Sequence, residues 1–561
     1  MIRRLRSDLG QVLSVVRPAT VRTLVRAGVF GFGEAVGAAA SAPWYLGRGP
    51  SLGVASQLAR VAVGSKDAVR DRRGTLTWAE LDRRANRAAN ALRAEGLRGN
   101  DRVALLLRNG RELVETLIGA QKVGIVACPL NSWARTGELR DALAALEPKL
   151  LVYDSLHAEQ VEPALPDELS TVVAGGGSGR LDYEDWIGAA PDHPPFPFAI
   201  DRGSARFIIH TSGTTGKPKG AARDASVTGL REFLGLLETV PLRRDDVIYC
   251  PAPLFHSFGL LTLVLGTLLG ATFVLPERFD PAESYALIEE HEATTAAMVP
   301  VMIRRMLSVP GAVKGRHDVS NLRIVLASGS AIPQDLRDEV RRAWGPVLFD
   351  LYGSTEAGWV AVASPEDQEQ RPGTLGKPVA GVEVLVLSSE GDRLPPGEVG
   401  ELYVRSGSLF DGYATGEDKG RRDGALAVGD LGRLDEEGYL FVEGRSDDMV
   451  VIGGENVYPA EVEDTIRAMD GVRDVAVTGV PDPEYGQVLV AFVVGDVDPG
   501  DVQQACRSNL ASFKVPRRIE VVSKLPRTGT GKILKRELTG RVEPGGSQAK
   551  KPGRPRKAAS L

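Results

Sequence analysis

Cysteine is scarce in this sequence, and its spacing argues against two kinds of site. Cys128, Cys250 and Cys506 are far apart among 561 residues, and no Cys-x-x-Cys pair is present. This spacing disfavours both a disulfide framework and a cysteine-rich zinc site. Because chains without disulfides are typical of reducing compartments, we expect a cytoplasmic protein.

An excess of charge of one sign is also lacking. Lys plus Arg number 68 and Asp plus Glu number 73, so the formal net charge is −5. A chain that bound a polyanion along its whole length would be basic, so that function is disfavoured. The hydrophobic (43%) and charged (25%) fractions are those of globular proteins. The length predicts about three to five domain-sized units.

A long apolar run lies between Ser257 and Pro276, about as long as the ~20 residues that cross a bilayer. Three internal glycines, the terminal proline and a β-like end at Ala271–Leu275 favour a different structure. We predict a buried helix that leads into a buried strand of a large α/β core.

The first fifty residues are Arg-rich and then Gly/Ala-rich, and they lack the apolar core of a signal peptide. Apolar residues in this segment could line one face of an amphipathic helix: Val16, Val21, Leu24, Val25 and Phe30. Contact of residues 1–30 with a membrane surface is one interpretation. A helix packed on the protein, or a loose terminus, is the favoured alternative, and both stay open.

The last twenty residues, 542–561, are rich in Gly, Pro, Lys and Arg and lack apolar periodicity, which predicts a disordered basic tail. The hexapeptide Pro552–Lys557 resembles the hook that some DNA-binding tails insert into the minor groove. A solvated tail is the favoured interpretation, so no specific nucleic-acid partner is expected.

Strand and helix patterns alternate from residue 101 to residue 344, after a capped helix that is predicted to begin at Thr75. Alternation of this kind predicts an α/β fold with doubly wound, mostly parallel sheets. Residues 376–442 carry short strand patterns with dense Gly, Pro and Asp, which predicts a small β-barrel-like subdomain. The segment after Arg445 predicts a compact α+β domain.

The strongest chemical signal is the segment Ile208–Gly220, in which a buried strand runs into a loop of hydroxyls, glycines and lysines. Glycine lets backbone N–H groups approach a phosphate, and hydroxyls and Lys add donors and charge. The spacing is not that of a Walker A loop, because Lys217 is followed by Pro218. The predicted phosphate-binding residues are Thr211, Ser212, Gly213, Thr214, Thr215, Gly216 and Lys217.

This loop resembles the phosphate loop of the adenylate-forming superfamily, which includes the acyl-CoA synthetases. Four further segments match the family's motifs in order: Tyr352–Gly358, Gly429–Gly432, Gly444–Pro459 and Pro526–Ile533. The resemblance covers about residues 50–541. It implies that a carboxylate attacks the α-phosphate of MgATP to give an acyl-adenylate, which a thiol, usually of coenzyme A, then converts to a thioester.

The resemblance also implies roles for individual residues. Tyr352 would stack on adenine, and the turn Ser328, Gly329 and Ser330 would pack on its other face. Gly353 and Ser354, in the same motif as Tyr352, would also bind the nucleotide. Asp430 and Arg445 would bind the ribose. Thr355 would donate to the α-phosphate and Glu356 would ligate Mg²⁺. His256 would lie beside the substrate carboxylate.

Three residues of the C-terminal part complete the implied site. Lys532 would bridge the carboxylate and the α-phosphate in the first step. Asp447 would be the hinge about which the C-terminal domain rotates between the two steps. Gly454 would border the coenzyme A channel. The predicted segments are an N-terminal extension (1–50), an AMP-binding N-terminal domain (51–444), a mobile C-terminal domain (445–541) and the basic tail (542–561).

The sequence therefore predicts an ATP-dependent acyl-CoA synthetase that uses ATP, Mg²⁺ and coenzyme A and activates a medium- to long-chain fatty acid. The choice of acid rests on the family resemblance and on Phe258, Leu260 and Leu261, which could line an acyl tunnel or belong to the core. Transfer to a carrier-protein thiol and activation of an aryl acid stay open as alternatives. The oligomeric state, a homodimer included, is also open.

Overall fold

A computed structural model describes most of the chain. The described residues are 22–23, 25–28, 51–176, 180–195, 206–211, 219–224, 229–407, 409–410, 412–413, 420–446, 449–526, 533, 535 and 538.

The helices within these ranges are numbered in chain order. They are α1 (Leu52–Val63), α2 (Trp78–Ala94), α3 (Arg111–Val123), α4 (Thr136–Leu146), α5 (Ala158–Val161), α6 (Tyr183–Gly188), α7 (Gly229–Thr239), α8 (Ser257–Leu269), α9 (Pro281–Glu290), α10 (Pro300–Leu307), α11 (Gly311–Lys314), α12 (Gln334–Trp344), α13 (Pro365–Gln370), α14 (Pro459–Arg467) and α15 (Pro499–Asn509).

The strands are numbered in the same way. They are β1 (Asp67–Asp71), β2 (Gly74–Thr77), β3 (Arg102–Leu106), β4 (Val126–Pro129), β5 (Leu150–Asp154), β6 (Ser170–Ala174), β7 (Leu181–Asp182), β8 (Arg206–Thr211), β9 (Lys219–Asp224), β10 (Val247–Tyr249), β11 (Thr272–Val274), β12 (Thr295–Met298), β13 (Ile324–Ala327), β14 (Leu348–Ser354), β15 (Gly358–Ala363), β16 (Lys377–Pro378), β17 (Glu383–Leu387), β18 (Gly400–Arg405), β19 (Gly412–Tyr413), β20 (Arg421–Arg422), β21 (Ala425–Leu434), β22 (Leu440–Arg445), β23 (Val450–Ile452), β24 (Glu455–Val457), β25 (Val472–Asp482), β26 (Gly486–Gly495) and β27 (Arg518–Val521).

Two large sheets form the N-terminal domain. One has the order β16-β15-β14-β13-β12-β10-β11-β1-β2 and the other β19-β9-β8-β4-β3-β5-β6-β7. The central strands of both pair in parallel, and antiparallel pairs lie at the edges. One hydrophobic core joins residues of both sheets with residues of helices α1, α2, α3 and α8. The predicted α/β class with doubly wound sheets is confirmed.

The central strands are short, and all residues of β4, β5, β12 and β13 are buried. Helices cover both faces of such strands, so their sequences are nearly continuous apolar runs rather than alternating ones. Such runs are consistent with the alternation of strand and helix patterns that the sequence shows between residues 101 and 344. No strand was predicted at β1 or β2, which lie at or next to the edge of their sheet and carry polar residues.

The long apolar run is a buried helix followed by a buried strand, as predicted. Helix α8 ends at Leu269, and Gly270 takes the left-handed conformation (φ +73°) that turns the chain into β11. Within the described ranges, no helix combines the length and apolar character needed to cross a membrane.

The helix predicted to begin at Thr75 begins at Trp78 instead. Residues 74–77 form β2, which pairs with β1. Thr77 then caps the helix: its hydroxyl accepts from the Glu80 N–H (3.3 Å), and the Glu80 carboxylate accepts from the Thr77 N–H (2.8 Å). This reciprocal capping box stabilises the turn from strand to helix.

The small β subdomain and the C-terminal domain follow in order. Strands β17, β18, β21, β20 and β22 form an antiparallel sheet, which confirms the predicted β subdomain. The C-terminal domain has the three-stranded sheet β25-β26-β27, the hairpin β23-β24 and helices α14 and α15 around its own core. Strand β22 ends at Arg445, and Asp447 lies outside the described residues.

Only part of the N-terminal extension is described, residues 22–23 and 25–28. Ala27 is 1% exposed, and its carbonyl accepts a hydrogen bond from the Arg244 N–H (2.9 Å). The Arg26 guanidinium donates to the Leu237 carbonyl on α7. These residues therefore pack on the large domain, while Val25 remains exposed. Val16, Val21, Leu24 and Phe30 lie outside the described residues.

Candidate active site

A cleft of about 1670 Å³ lies between the large domain and the C-terminal domain. Its walls include the residues that follow the carboxyl ends of the parallel strands β4, β10, β12 and β13, together with the end of β14. In open α/β sheets, ligands bind in the crevice at this edge. Two segments of the C-terminal domain, 449–456 and 511–514, form the opposite wall.

Most of the described candidate site residues line this one cleft. They are His256, Ser328, Gly329, Ser330, Tyr352, Gly353, Ser354, Thr355, Asp430, Arg445 and Gly454. Other candidates lie outside the described residues: Ser212, Gly213, Thr214, Thr215, Gly216, Lys217, Asp447 and Lys532. Thr211 is described as the last residue of β8, at the point where the predicted phosphate loop begins.

Asp430 joins two of the predicted nucleotide-binding residues. It lies opposite Arg445 in the β21–β22 pair, and its Oδ1 accepts from Arg445 Nη1 (2.9 Å). Its Oδ2 accepts from the Tyr352 hydroxyl (2.6 Å). Burial, together with the negative charge of Asp430, holds the pKa of Tyr352 well above its ordinary value, so the phenol remains a hydrogen-bond donor. Each carboxylate oxygen has two lone pairs, so Asp430 keeps acceptor capacity for further hydroxyls.

The turn after β13 is built from small residues. The Ser328 hydroxyl donates to the Leu351 carbonyl (2.8 Å), which ties the turn to β14. Gly329 has φ +95°, and a Cβ there would lie 3.3 Å from Val299 Cγ1 and 3.4 Å from Gly454 Cα. The two domains therefore approach each other at two glycines, and a side chain at either position would crowd this contact.

His256 lies where the two domains meet. It directly precedes α8, and its ring contacts the Phe255 ring (4.5 Å between centroids) and the Trp133 ring (6.3 Å). Its Nε2 lies against the Glu455 carboxylate, which comes from the C-terminal domain.

Glu455 and Trp133 were not among the predicted site residues. Glu455 directly follows the Gly453–Gly454 pair of the motif Gly444–Pro459 (the hinge motif). Trp133 follows the carboxyl end of β4 and is 44% exposed. The sequence contains one signal for each of them. Glu455 is a charged residue after a glycine pair, and Trp133 is an aromatic residue after a parallel strand.

The three apolar residues proposed for an acyl tunnel separate into two groups. Phe258 and Leu261 line the cleft. Leu260 is 1% exposed and belongs to the core between the sheets, which is the second of the two alternatives for this residue. The helical repeat explains the difference, since residues 258 and 261 share a face of α8 and residue 260 points away from it.

The segment around Lys532 is described at Ile533, Lys535 and Leu538. Ile533 and Leu538 pack with Phe492 and Leu525 on one face of the C-terminal sheet, and none of these four residues lines the cleft. Lys535 lies at the edge of the cleft and pairs with Glu463 of the same domain (3.1 Å).

The family model for AMP-binding enzymes matches residues 57–414, and the model for the AMP-binding enzyme C-terminal domain matches residues 461–532. The chain belongs to the AMP-binding enzyme family. It is thus a member of the adenylate-forming superfamily, as its five motifs predicted.

Relatives of this AMP-binding enzyme act on different acids. A feruloyl-CoA synthase of Amycolatopsis sp is 37% identical over 484 residues, covering 84% of this chain and 95% of the relative. The long-chain-fatty-acid–CoA ligase FadD13 of Mycobacterium tuberculosis is 32% identical over 473 residues, covering 82% and 92%. Both are acid–thiol ligases by name, and this AMP-binding enzyme is accordingly a ligase of the acyl- or aryl-CoA ligase type.

A solved structure shares the whole architecture. The amide bond synthetase McbA from Marinactinospora thermotolerans superposes with a TM-score of 0.78 at 29% identity, covering 87% of this chain and 99% of that one. The similarity confirms a large N-terminal domain followed by a small C-terminal domain in this AMP-binding enzyme. The named acids and products of these proteins differ, so the family membership leaves the substrate open.

Glu356, the predicted magnesium ligand of this AMP-binding enzyme, is 6% exposed and does not line the cleft, although Ser354 and Thr355 directly before it do. Its backbone carbonyl accepts from the Phe410 N–H (2.8 Å). Mg²⁺ commonly takes one or two carboxylates plus substrate phosphates, and a single carboxylate beside the cleft fits that set. Among the described residues, no group of three or more His, Cys, Asp or Glu side chains could hold a metal ion by itself.

Proposed function

We propose that this AMP-binding enzyme is an ATP-dependent acyl-CoA synthetase for a medium- to long-chain fatty acid. It would form an acyl-adenylate with release of pyrophosphate and then transfer the acyl group to coenzyme A with release of AMP. The observation that carries the choice of acid is the apolar face of α8, where Phe258 and Leu261 line the cleft within a few residues of His256. The named substrate class of the relative FadD13 supports it.

The nucleotide would bind along β14 and β21. Tyr352 would stack on adenine, with the turn Ser328–Ser330 on the other face. Asp430 would accept from the ribose hydroxyls while it holds Arg445, and the existing hydrogen bonds hold the carboxylate in position for them. A ribose site at Asp430 would thus be pre-organised before ATP arrives, which would lower the entropy lost on binding.

The reacting groups would meet between Thr355 and His256. The Thr355 hydroxyl lies 3.3 Å from the Ser257 hydroxyl, so the residue proposed for the α-phosphate is next to the start of α8. The predicted loop from Thr211 to Lys217 would hold the β- and γ-phosphates. Bound Mg²⁺, held by Glu356, would supply positive charge at the phosphates. Lys532 would hold the carboxylate and the α-phosphate together in the first step.

Activation of an aryl acid is the second candidate function. It is favoured by the 37% identity to the feruloyl-CoA synthase, which exceeds the identity to FadD13. A planar aromatic acid would also fit beside the rings of Phe255 and Trp133, which face each other edge to face at 5.3 Å.

One experiment separates these functions. Pyrophosphate release is measured with ATP and Mg²⁺ across saturated fatty acids of graded length and across benzoate, cinnamate and ferulate. We expect kcat/KM to be highest for a fatty acid of medium or long chain. A higher value for an aryl acid would replace the fatty acid by the second candidate, and release with none of these acids would contradict adenylation itself.

The acceptor is tested in the same preparation. Acyl-adenylate is supplied with coenzyme A or with a carrier protein that bears a phosphopantetheine thiol. We expect thioester formation with coenzyme A, and transfer to the carrier protein alone would favour a carrier-protein ligase.

A further inference from the structure

The C-terminal domain contacts the large domain through the segment between β4 and the first turn of α4, residues 131–138. Its counterpart is the short turn Ser512–Lys514 of the C-terminal domain. The Lys514 ammonium donates to Glu138 Oε1 (2.6 Å), which belongs to the large domain, and to Glu461 Oε1 (2.5 Å), which belongs to its own domain. One lysine thus joins a carboxylate from each domain.

These three side chains are only 10–11% exposed. Burial opposes the charge of Lys514, but attraction to Glu461 and Glu138 raises its pKa above the ordinary value, so the lysine stays charged. Burial also raises the pKa of Glu461. Water screens such contacts far less than exposed ones, so loss of a partner matters more here than at a surface pair.

Rotation of the C-terminal domain would carry Lys514 and Glu461 together and leave Glu138 behind. The contact between Lys514 and Glu461 would survive in any orientation, since both residues move as part of one domain. The contact with Glu138 exists only in the described orientation. Its free energy therefore favours this orientation over others.

An aromatic contact accompanies the ion pair. Phe513 packs edge to face on Trp133, with ring centroids 6.2 Å apart. Trp133 in turn contacts the rings of Phe255 and His256. Trp133 therefore lies between Phe513 of the C-terminal domain and the site residue His256, and it contacts both rings.

In the described orientation, the loop of the hinge motif at Gly453–Glu455 lines the cleft. Gly454 lies beside Gly329, and Glu455 lies against His256. Ile533, the neighbour of Lys532, packs instead on a sheet face whose residues do not line the cleft. This orientation therefore presents to the cleft the loop proposed for the thiol channel, and not the sheet face on which Ile533 packs.

We propose that Trp133, Glu138, Phe513, Lys514 and Glu461 form an interdomain clasp that selects the orientation used for thioester formation. These are positioning residues, because they act through the placement of the loop at Gly454. The inference rests on the proposed function, in that it assigns the clasp to the second of the two half-reactions. Within the clasp, Glu138 is the partner of Lys514 that the large domain supplies, and its charge can be removed while an oxygen is kept for the cap of α4.

The test uses Glu138→Gln in the full chain. Glutamine has the same shape and keeps an oxygen for the Arg135 N–H, which Glu138 Oε2 accepts at 2.8 Å, so the start of α4 is preserved. The matched control is Glu80→Gln, because Glu80 occupies the same third position of α2, where it caps Thr77 and makes no contact with the C-terminal domain.

Two half-reactions are measured separately. Acid-dependent exchange of pyrophosphate with ATP reports adenylation, and thioester formation from preformed acyl-adenylate and coenzyme A reports the second step. We expect Glu138→Gln to slow thioester formation about tenfold, the size expected for one charge-assisted hydrogen bond, and to leave exchange within about twofold. Glu80→Gln should leave both within about twofold.

A double-mutant cycle checks that the pair acts together. Lys514→Met removes the charge that Glu461 and Glu138 share and will also lower stability, so folding is verified by circular dichroism. In the second half-reaction, Glu138→Gln/Lys514→Met should be no slower than Lys514→Met alone. Additive effects of the two substitutions would overturn the ion pair as the active element of the clasp.

A distance measurement tests the clasp without chemistry. Spin labels attached through Glu159→Cys and Asp501→Cys, two exposed positions, report the separation of the two domains in the full chain. We expect one dominant distance in the parent and a broader distribution in Glu138→Gln. An unchanged distance distribution in Glu138→Gln would overturn the clasp. A loss of rate in Glu138→Gln that equals the loss in Glu80→Gln, or that is equal in both half-reactions, would also overturn it. If the parent protein shows no exchange of pyrophosphate with ATP, the proposed function is contradicted. The distance measurement alone then tests the clasp.

Discussion

The role of a single residue in this enzyme depends on the side chains to which it is hydrogen-bonded. Asp430 accepts from both Tyr352 and Arg445, so three of the predicted nucleotide-binding residues form one hydrogen-bonded unit. A substitution at one of them therefore disturbs the other two. Lys532 differs, because its proposed role is to bring two anions together rather than to hold a neighbour.

Lys532→Ala should impair the first half-reaction selectively. Two anions held close together repel by about 4 kcal/mol at an effective dielectric constant of 20, and the ammonium is proposed to offset this. We expect adenylation, measured as pyrophosphate exchange, to fall by about 10²- to 10³-fold, the usual effect of removing one electrostatic stabiliser. Thioester formation from preformed acyl-adenylate is the internal control. Equal loss in both half-reactions would remove the assignment.

The three cysteines should be unreactive in the folded protein. All are buried, and burial raises the pKa of the Cys128 and Cys250 thiols to about 12 and that of Cys506 to about 11. The thiolate is the reactive form, and a raised pKa leaves almost none of it at pH 8. Titration with a chromogenic disulfide at pH 8 should detect no thiol within minutes in native protein and three after denaturation. Rapid reaction of one native thiol would contradict this burial.

At the scale of elements, the apolar helix α8 contributes side chains both to the cleft and to the core. Phe258 and Leu261 face the cleft, while Leu260 and Gly266 face inward. Gly266 leaves room for the Phe273 ring of β11. The absence of a side chain at this position is therefore part of how α8 packs on the sheet.

Gly266→Ala should destabilise the large domain. A Cβ at this position would lie 2.3 Å from Phe273 Cζ and 2.8 Å from Ile248 Cδ1, so buried side chains must move. Overpacking of this kind costs about 1–3 kcal/mol. Urea denaturation should show a lower midpoint at an unchanged slope.

Gly137→Ala is the matched control for this substitution. Gly137 lies in α4 and is exposed, and a Cβ at this position would meet no atom within 4 Å. Alanine should therefore stabilise the helix by up to about 1 kcal/mol. A stabilising effect of Gly266→Ala would show that the contact with Phe273 is not tight.

For the whole molecule, the decisive feature is the orientation of the C-terminal domain. Two contacts at this interface are largely buried, that of Glu455 with His256 and that of Lys514 with Glu138, while an exposed pair joins Arg305 and Glu484. Exposed ion pairs contribute about 0–1 kcal/mol, so the buried contacts dominate the choice of orientation.

Glu455→Gln should slow thioester formation from preformed acyl-adenylate and leave pyrophosphate exchange within about twofold. The reason is that Glu455 meets His256 only when the hinge-motif loop is in the cleft. Glu484→Gln is the control, since its pair with Arg305 (2.9 Å) crosses the same interface but is 41–47% exposed. It should change neither half-reaction by more than about twofold, and equal effects of the two substitutions would argue against a special role for the contact with His256.

The sequence by itself determined the family and the fold class, and eleven of the site residues predicted from it line the cleft. Motifs keep their residue types and spacing in the linear chain, and fully buried strands and a buried helix are visible as apolar runs. Local signals also located the helix cap at Thr77 and Glu80 to within a few residues.

Only the tertiary structure decided which residues meet. Lys514 and Glu138 are 376 positions apart, and Glu455 reaches His256 from another domain. Leu260 and Leu261 are adjacent in sequence, yet one is core and the other lines the cleft. The physical reason is that local propensity and periodicity depend on near neighbours, whereas burial and charge pairing depend on how distant elements pack.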